Sequence, residues 1–126
     1  MGDFDKQIEY WRSGAFDDLE SAKVLIDKNR VLHGLFFCHL VLEKIIKAHV
    51  VKNTNDNAPR SHNLIYLLEK ANLTLEDDDE IFLGILMKYQ LQGRYPDYNP
   101  ILPEKTMVIE YFSYTEKLLI WLERKL

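Results

Sequence analysis

The chain of 126 residues has few of the sequence features that mark disulfide cross-links, phosphate-binding loops or membrane spans. It has a single cysteine, Cys38, so these residues cannot form an internal disulfide. Its five glycines are scattered and form no glycine-rich phosphate loop. No uninterrupted apolar stretch reaches the roughly 18 residues that a membrane-spanning helix needs. Lys and Arg (16) are fewer than Asp and Glu (20), and the net charge of −4 excludes a general nucleic-acid coat protein, which requires a positive surface.

Composition and length favour one globular domain. Apolar residues make up 47% of the chain and charged residues 29%, which is the usual balance for a folded protein. A chain of this length buries enough surface to fold without a metal, so we expect residues 1–126 to form a single helical domain. The acidic amino terminus has no basic region followed by an apolar stretch, so we predict no signal peptide and expect a cytoplasmic protein.

Apolar residues recur with the period of an α-helix along most of the chain. We expect Ser61 or His62 to open the third helix, with Ser61 as its cap, Gly93 to end the fourth, and Pro103 to occupy the first position of the fifth. No segment alternates with a period of two residues, so no sheet is predicted. The predicted fold class is therefore all-α, an up-and-down four-helix bundle with one additional short helix. The expected helices cover residues 5–28, 31–52, 61–71, 77–92 and 103–126.

The second predicted helix is unusually apolar, because 14 of the 21 residues from 31 to 51 are apolar. We expect it at the centre of the bundle or in the interface of a two-fold homodimer. His39, Glu43 and Lys47 follow one another at steps of four residues and so share one stripe of this helix. We favour a satisfied buried pair or a polar stripe in the dimer interface. The alternative is a general base oriented by a carboxylate, facing Arg94 across the bundle.

Four stretches of sequence, in this order, resemble the HEPN domain family of small prokaryotic helical proteins. They are residues 11–22 (WRSGAFDDLESA), 36–48 (FFCHLVLEKIIKA), 61–68 (SHNLIYLL) and 94–97 (RYPD). The resemblance covers nearly the whole chain and implies a HEPN-like bundle that pairs as a two-fold dimer. In many relatives the dimer cleft binds a nucleotide or RNA, and the gene often lies beside that of a minimal nucleotidyltransferase. Some relatives are metal-independent ribonucleases, and some are the toxin of a toxin–antitoxin pair.

One departure from the family pattern bears on catalysis. The ribonuclease members carry an arginine, then four to six residues, then a histidine. Here the corresponding positions after Arg94 hold Asn99, Pro100 and Ile101. A displaced His39 or His62 would have to replace the missing acid/base group, so the sequence favours a binding module over a ribonuclease.

Arg94 is the first candidate for a phosphate ligand, because its guanidinium presents a fork of donors that stays charged. The alternative is an ion pair of Arg94 with Asp97 or Glu43. Tyr95 would either stack on a base or, as we favour, fill the core. Asp97 would position a water or a proton, or else bond its own turn.

The remaining candidates lie on the second helix and before the third. His62 would contact a phosphate at a helix amino terminus or simply cap that helix. Lys47 and Arg60 belong to the one loose basic cluster in the sequence, together with Lys44 and Lys52. We expect no cofactor, and no spacing of His and Cys residues predicts a metal site.

Three functions therefore remain open at this point. The first is a nucleotide- or RNA-phosphate-binding module in a toxin–antitoxin-like two-gene system with a nucleotidyltransferase. The second is a metal-independent ribonuclease, and the third is an oligomerising scaffold.

Overall fold

The computed structural model describes residues 3–90 and 101–126, and within these ranges it contains five α-helices and no strand. The prediction of an all-α bundle of four helices with one additional short helix is confirmed. Among the described helices, none is long and apolar enough to cross a lipid bilayer. The helices are α1 (Asp3–Asp27), α2 (Val31–Thr54), α3 (Leu64–Ala71), α4 (Asp77–Met87) and α5 (Lys105–Arg124).

Helix α2 is the centre of the bundle, as its apolar composition predicts. It packs against α1, α3, α4 and α5, and fourteen of its residues are buried. Because only three residues connect α1 to α2, the two helices form a tight hairpin, whose turn includes Asn29 in the left-handed conformation (φ 61°). Gly34 permits the close approach of the pair, since a Cβ at this position would lie 2.5 Å from Cγ1 of Ile26.

The predicted start of the third helix is two to three residues too early. Helix α3 begins at Leu64, and Asn63 is its N-cap. The Oδ1 of Asn63 accepts hydrogen bonds from the backbone N–H groups of Ile65 and Tyr66, which would otherwise lack partners. Ser61 is not the helix cap, because its hydroxyl accepts instead from the N–H of Asn63.

The end of α4 and the start of α5 also differ from the predictions. Helix α4 ends at Met87 rather than at Gln92, because the N–H groups of Lys88 and Tyr89 bond to carbonyls three residues back and tighten the last turn. Gly93, the predicted helix stop, lies outside the described residues. Pro103 precedes α5 instead of opening it, since Glu104 is the N-cap and Lys105 the first helical residue.

Candidate functional site

A buried cluster of polar side chains joins α2 to the segment that precedes α3. We name His39, Glu43, Lys47 and His62 the α2 polar cluster. At its centre, Oε2 of Glu43 accepts a hydrogen bond from Nζ of Lys47 at 3.0 Å. Oε1 of the same carboxylate accepts a second bond from Nδ1 of His62 at 2.9 Å. The predicted stripe on α2 therefore reaches a residue that lies 19 positions further along the chain.

The cluster compensates the charges that it buries. The side chains of Glu43 and Lys47 are only 4% and 6% exposed. Such burial is strongly unfavourable for a single charge, and it is tolerated when the charge has both an ionic and a hydrogen-bonding partner. Glu43 has both, and Nζ of Lys47 also lies 5.1 Å from the ring centre of Trp11, a cation–π contact that ties the cluster to α1.

His39 fixes the backbone beside the cluster. Its fully buried ring donates from Nε2 to the carbonyl oxygen of His62 at 3.0 Å, and because a carbonyl only accepts, the proton is on Nε2. The other nitrogen, Nδ1, lies 3.7 Å from Oε1 of Glu43 and has no hydrogen-bond partner among the described residues. Burial lowers the pKa of His39 and favours the neutral ring. We therefore assign His39 a positioning role and not direct contact with a ligand.

His62 is the member of the α2 polar cluster that reaches solvent, with 37% of its side chain exposed. Its Nδ1 donates to Glu43, so Nε2 is the atom left to accept or transfer a proton. In the described part of the chain, no hydrogen bond to Nε2 is present. Of the two roles considered for His62, that of the α3 cap is wrong, because Asn63 occupies that position. The side chain is instead oriented by a buried carboxylate.

The three candidates Arg94, Tyr95 and Asp97 lie outside the described residues. The predicted placement of Arg94 opposite the stripe of His39 and Glu43 lies outside them as well. These residues remain candidates on the strength of the sequence.

The predicted basic cluster is dispersed in the structure. Nζ of Lys44 lies 2.7 Å from Oδ2 of Asp18 in an ion pair between α2 and α1. Lys47 is buried against Glu43, and Lys52 donates to the backbone carbonyl of Leu126. These lysines do not form one cationic surface, because each of them compensates a different nearby acceptor. Arg60 is exposed and lies two residues before His62 in the sequence.

Two other polar or reactive groups of α2 are structural. Burial raises the pKa of the Cys38 thiol to about 11, which agrees with the weak reactivity expected for a cysteine in an apolar run. His49 received no role from the sequence, yet its buried Nε2 donates to the carbonyl oxygen of Leu122 at 2.8 Å and joins α2 to α5. Within residues 3–90 and 101–126, no group of three or more His, Cys, Asp or Glu residues is placed to hold a metal ion.

The described residues thus form an all-α bundle of five helices, in which a buried carboxylate on the central helix orients a histidine that precedes α3. The family model of the HEPN domain matches residues 8–125, so the chain belongs to the HEPN domain family. No curated protein matches the sequence at a significant level.

Two solved structures have a similar fold. The protein TT1696 from Thermus thermophilus has a TM-score of 0.78 and 20% sequence identity, over 95% of this chain and 98% of that one. ST0689, described as an archaeal HEPN homologue, has a TM-score of 0.64 and 19% identity, over 94% of this chain and 96% of that one. At this level of identity the similarity establishes the fold and does not identify a ligand.

Proposed function

We propose that this HEPN protein is a phosphate-binding module for a nucleotide or RNA, and that its contact surface includes Arg60, His62 and Arg94. The observation that carries the proposal is the fixed orientation of His62. The buried carboxylate of Glu43 holds Nδ1, and His39 holds the backbone carbonyl of the same residue. The ring and the backbone of His62 are thus both held, so Nε2 meets a ligand without further ordering, which lowers the entropic cost of binding. Because a phosphate oxygen only accepts, it bonds to Nε2 in the form of the ring that carries both protons.

The charges near His62 support a small contact area. Arg60 is exposed two residues before His62, whereas the chain as a whole has a net charge of −4. A local contact of this kind neutralises few phosphates. We therefore expect binding with a shallow salt dependence, of about −0.7 in log K against log salt for each contacted phosphate of a single strand.

The binding experiment uses a fluorescein-labelled single-stranded RNA of about ten nucleotides, titrated with the full chain and followed by anisotropy. Arg60→Ala, His62→Ala and Arg94→Ala should each raise Kd about 10- to 100-fold, which is the range for losing one charged hydrogen bond. Arg30→Ala removes another exposed arginine, at the start of α2, and serves as the matched control. Absence of binding by the wild type, or equal Kd values for all four variants, would refute the proposal.

The two-gene part of the proposal rests on membership of the HEPN domain family. We propose that the chain acts as a homodimer in a toxin–antitoxin-like pair with a minimal nucleotidyltransferase. Co-expression with the product of the neighbouring gene, followed by size-exclusion chromatography with light scattering, should give one complex of fixed stoichiometry. Separate elution of the two products, or a neighbouring gene of another class, would refute this part of the proposal.

The same geometry favours one second candidate, a metal-independent ribonuclease. A histidine whose Nδ1 is bonded to a carboxylate and whose Nε2 is unbonded has the arrangement of a general base. His62 would then replace the histidine that is absent after Arg94. In the presence of EDTA, cleavage of RNA but not of the 2′-deoxy analogue, lost in His62→Gln and in Arg94→Ala, would support this candidate. RNA that stays intact with the wild type would exclude it, and if the protein bound no RNA either, the scaffold function would remain.

A further inference from the structure

A second surface of the molecule, distant in sequence from the α2 polar cluster, is an open groove along α5. Ile109, Ser113, Lys117 and Trp121 follow at steps of four residues and form one wall. Ile109 is 53% exposed and Trp121 is 42% exposed, although both are large apolar residues at the two ends of this stripe. Apolar side chains placed in this way along a groove are typical of an interaction surface.

The opposite wall comes from the α3–α4 connection and the first turn of α4. Thr74, Leu75, Glu76 and Asp79 line this side, and the groove has a volume of about 740 Å³. Leu75 and Leu118 are buried beneath the exposed residues and continue the apolar surface inward. The groove therefore has an apolar floor with polar side chains along its edges.

The groove is held in shape by contacts between its two walls. The hydroxyl of Tyr114 on α5 donates to Oδ1 of Asp79 on α4 at 2.5 Å. The ring of Tyr114 also stacks on Phe82, with 4.2 Å between the ring centres. Burial and the nearby carboxylates raise the pKa of Tyr114 to about 12, so the hydroxyl stays a donor at physiological pH. The walls thus have a fixed separation before any partner binds.

The charges at the edges of the groove are mainly negative and favour a positively charged partner. Among the described residues, Glu76, Asp79 and Glu110 line it together with the cation Lys117. A second cation is close by, because Nζ of Lys125 lies 4.5 Å from the ring centre of Trp121. Further acidic residues, Asp77, Asp78 and Glu80, adjoin it in the first turn of α4. A second copy seated here by two-fold symmetry would bring two such acidic edges together, and that repulsion is unfavourable.

We infer that this groove, the α5 groove, binds a basic amphipathic helix of a partner protein, with the apolar face of the helix on Ile109 and Trp121 and its Lys or Arg side chains against the acidic edges. The distance along α5 from Ile109 to Trp121 is about 18 Å, at 1.5 Å per residue, which matches a partner helix of about three turns. This is helix-in-groove recognition, in which apolar anchors give affinity and the charged edges give specificity. The inference does not depend on the proposed phosphate site.

The test uses two designed, fluorescein-labelled helical peptides of 18 residues with the same leucine stripe, one with lysines beside the stripe and the other with glutamates. We expect the lysine peptide to bind the full chain at least tenfold more tightly than the glutamate peptide. Trp121→Ala and Glu110→Lys should each weaken the lysine peptide at least tenfold. Val24→Ala and Glu20→Lys make the matching changes at exposed positions of α1 and should leave Kd unchanged.

The outcomes separate the alternative occupants of the α5 groove. Equal binding of the two peptides, no binding of either, or an unchanged Kd in Trp121→Ala would overturn the inference. Sedimentation of the protein alone tests whether a second copy of the chain occupies the groove. If Trp121→Ala converts a dimer into a monomer while circular dichroism shows an intact fold, a second copy of the chain occupies the groove and the inference is wrong.

Discussion

Replacement of Glu43 by leucine tests the account of the α2 polar cluster most directly. The substitution keeps a side chain of similar size at a position that is 4% exposed. It removes the acceptor of Lys47 Nζ and of His62 Nδ1 at the same time. The ammonium group of Lys47, whose side chain is 6% exposed, then keeps its contact with the ring of Trp11 but loses its carboxylate partner.

The size of the effect follows from that burial. Removing one partner of a buried ion pair costs about 3–5 kcal/mol, because the other charge stays buried without compensation. Lys47→Met should cost less, about 1–3 kcal/mol, since Glu43 retains its bond from His62. The double variant Glu43→Leu/Lys47→Met removes both charges and should be more stable than Glu43→Leu alone. The coupling between the two sites should therefore be at least about 1 kcal/mol in the double-mutant cycle.

The assay is urea unfolding at pH 7.5, followed by both far-ultraviolet circular dichroism and tryptophan fluorescence. Since small domains have about 5–15 kcal/mol of stability in total, Glu43→Leu should still give a measurable transition, at a clearly lower urea concentration. Glu20→Leu removes an exposed carboxylate from α1 and should change the free energy of unfolding by less than about 0.5 kcal/mol. A cost below about 1 kcal/mol for Glu43→Leu, or simple additivity in the double variant, would refute the description of Glu43 and Lys47 as a compensated buried pair.

Three further predictions concern other parts of the bundle. Gly34→Ala should destabilise the protein by about 1–3 kcal/mol, because the new methyl group would clash with Ile26. Gly84→Ala should instead stabilise α4 by up to about 1 kcal/mol, because no atom outside its own stretch of helix lies within 4 Å of the new methyl group. Urea unfolding of the two variants measures both effects. Burial lowers the pKa values of His39 and His49 in the folded protein. Below the ordinary histidine pKa of about 6.5, the unfolded chain therefore binds more protons than the folded protein. The contribution of these histidines to the free energy of unfolding is complete above pH 6.5 and should fall on acidification by up to about 1.4 kcal/mol per pH unit for each histidine. His49→Gln should reduce this slope, and a slope that is unchanged would contradict the assignment. Cys38 should resist a disulfide reagent at pH 8 in the native protein and react in urea, because its buried thiol has a pKa of about 11, and rapid native reaction would contradict its burial.

The helices and their buried faces could be predicted from the sequence because helical periodicity is a local property. The apolar run of α2 predicts its central position, and the helical period of apolar residues elsewhere in the chain indicates which faces of the other helices are buried. The ends of helices are less well determined by periodicity. At α3, Ser61 and Asn63 are both suitable caps, and the choice of Asn63 depends on its bonds to Ile65 and Tyr66.

The candidate site could be predicted only in part. The four-residue spacing places His39, Glu43 and Lys47 on one stripe, and the family resemblance directs attention to His62 and Arg94. Neither the spacing nor the resemblance distinguishes the roles of His39 and His62. In the structure His39 is buried and His62 reaches solvent, because the segment before α3 folds back onto α2 and covers one ring while exposing the other.

The partners of buried polar groups are the part of this protein that periodicity does not encode. Asp18 on α1 pairs with Lys44 on α2, and His49 bonds to the backbone of Leu122, which is 73 residues away. A pattern of apolar residues indicates which face of a helix is buried, because the pattern involves only residues within two helical turns of one another. The partner of a buried polar group, whether a carboxylate, a carbonyl or a ring, depends instead on how whole helices pack. That partner is therefore determined only by the assembled bundle.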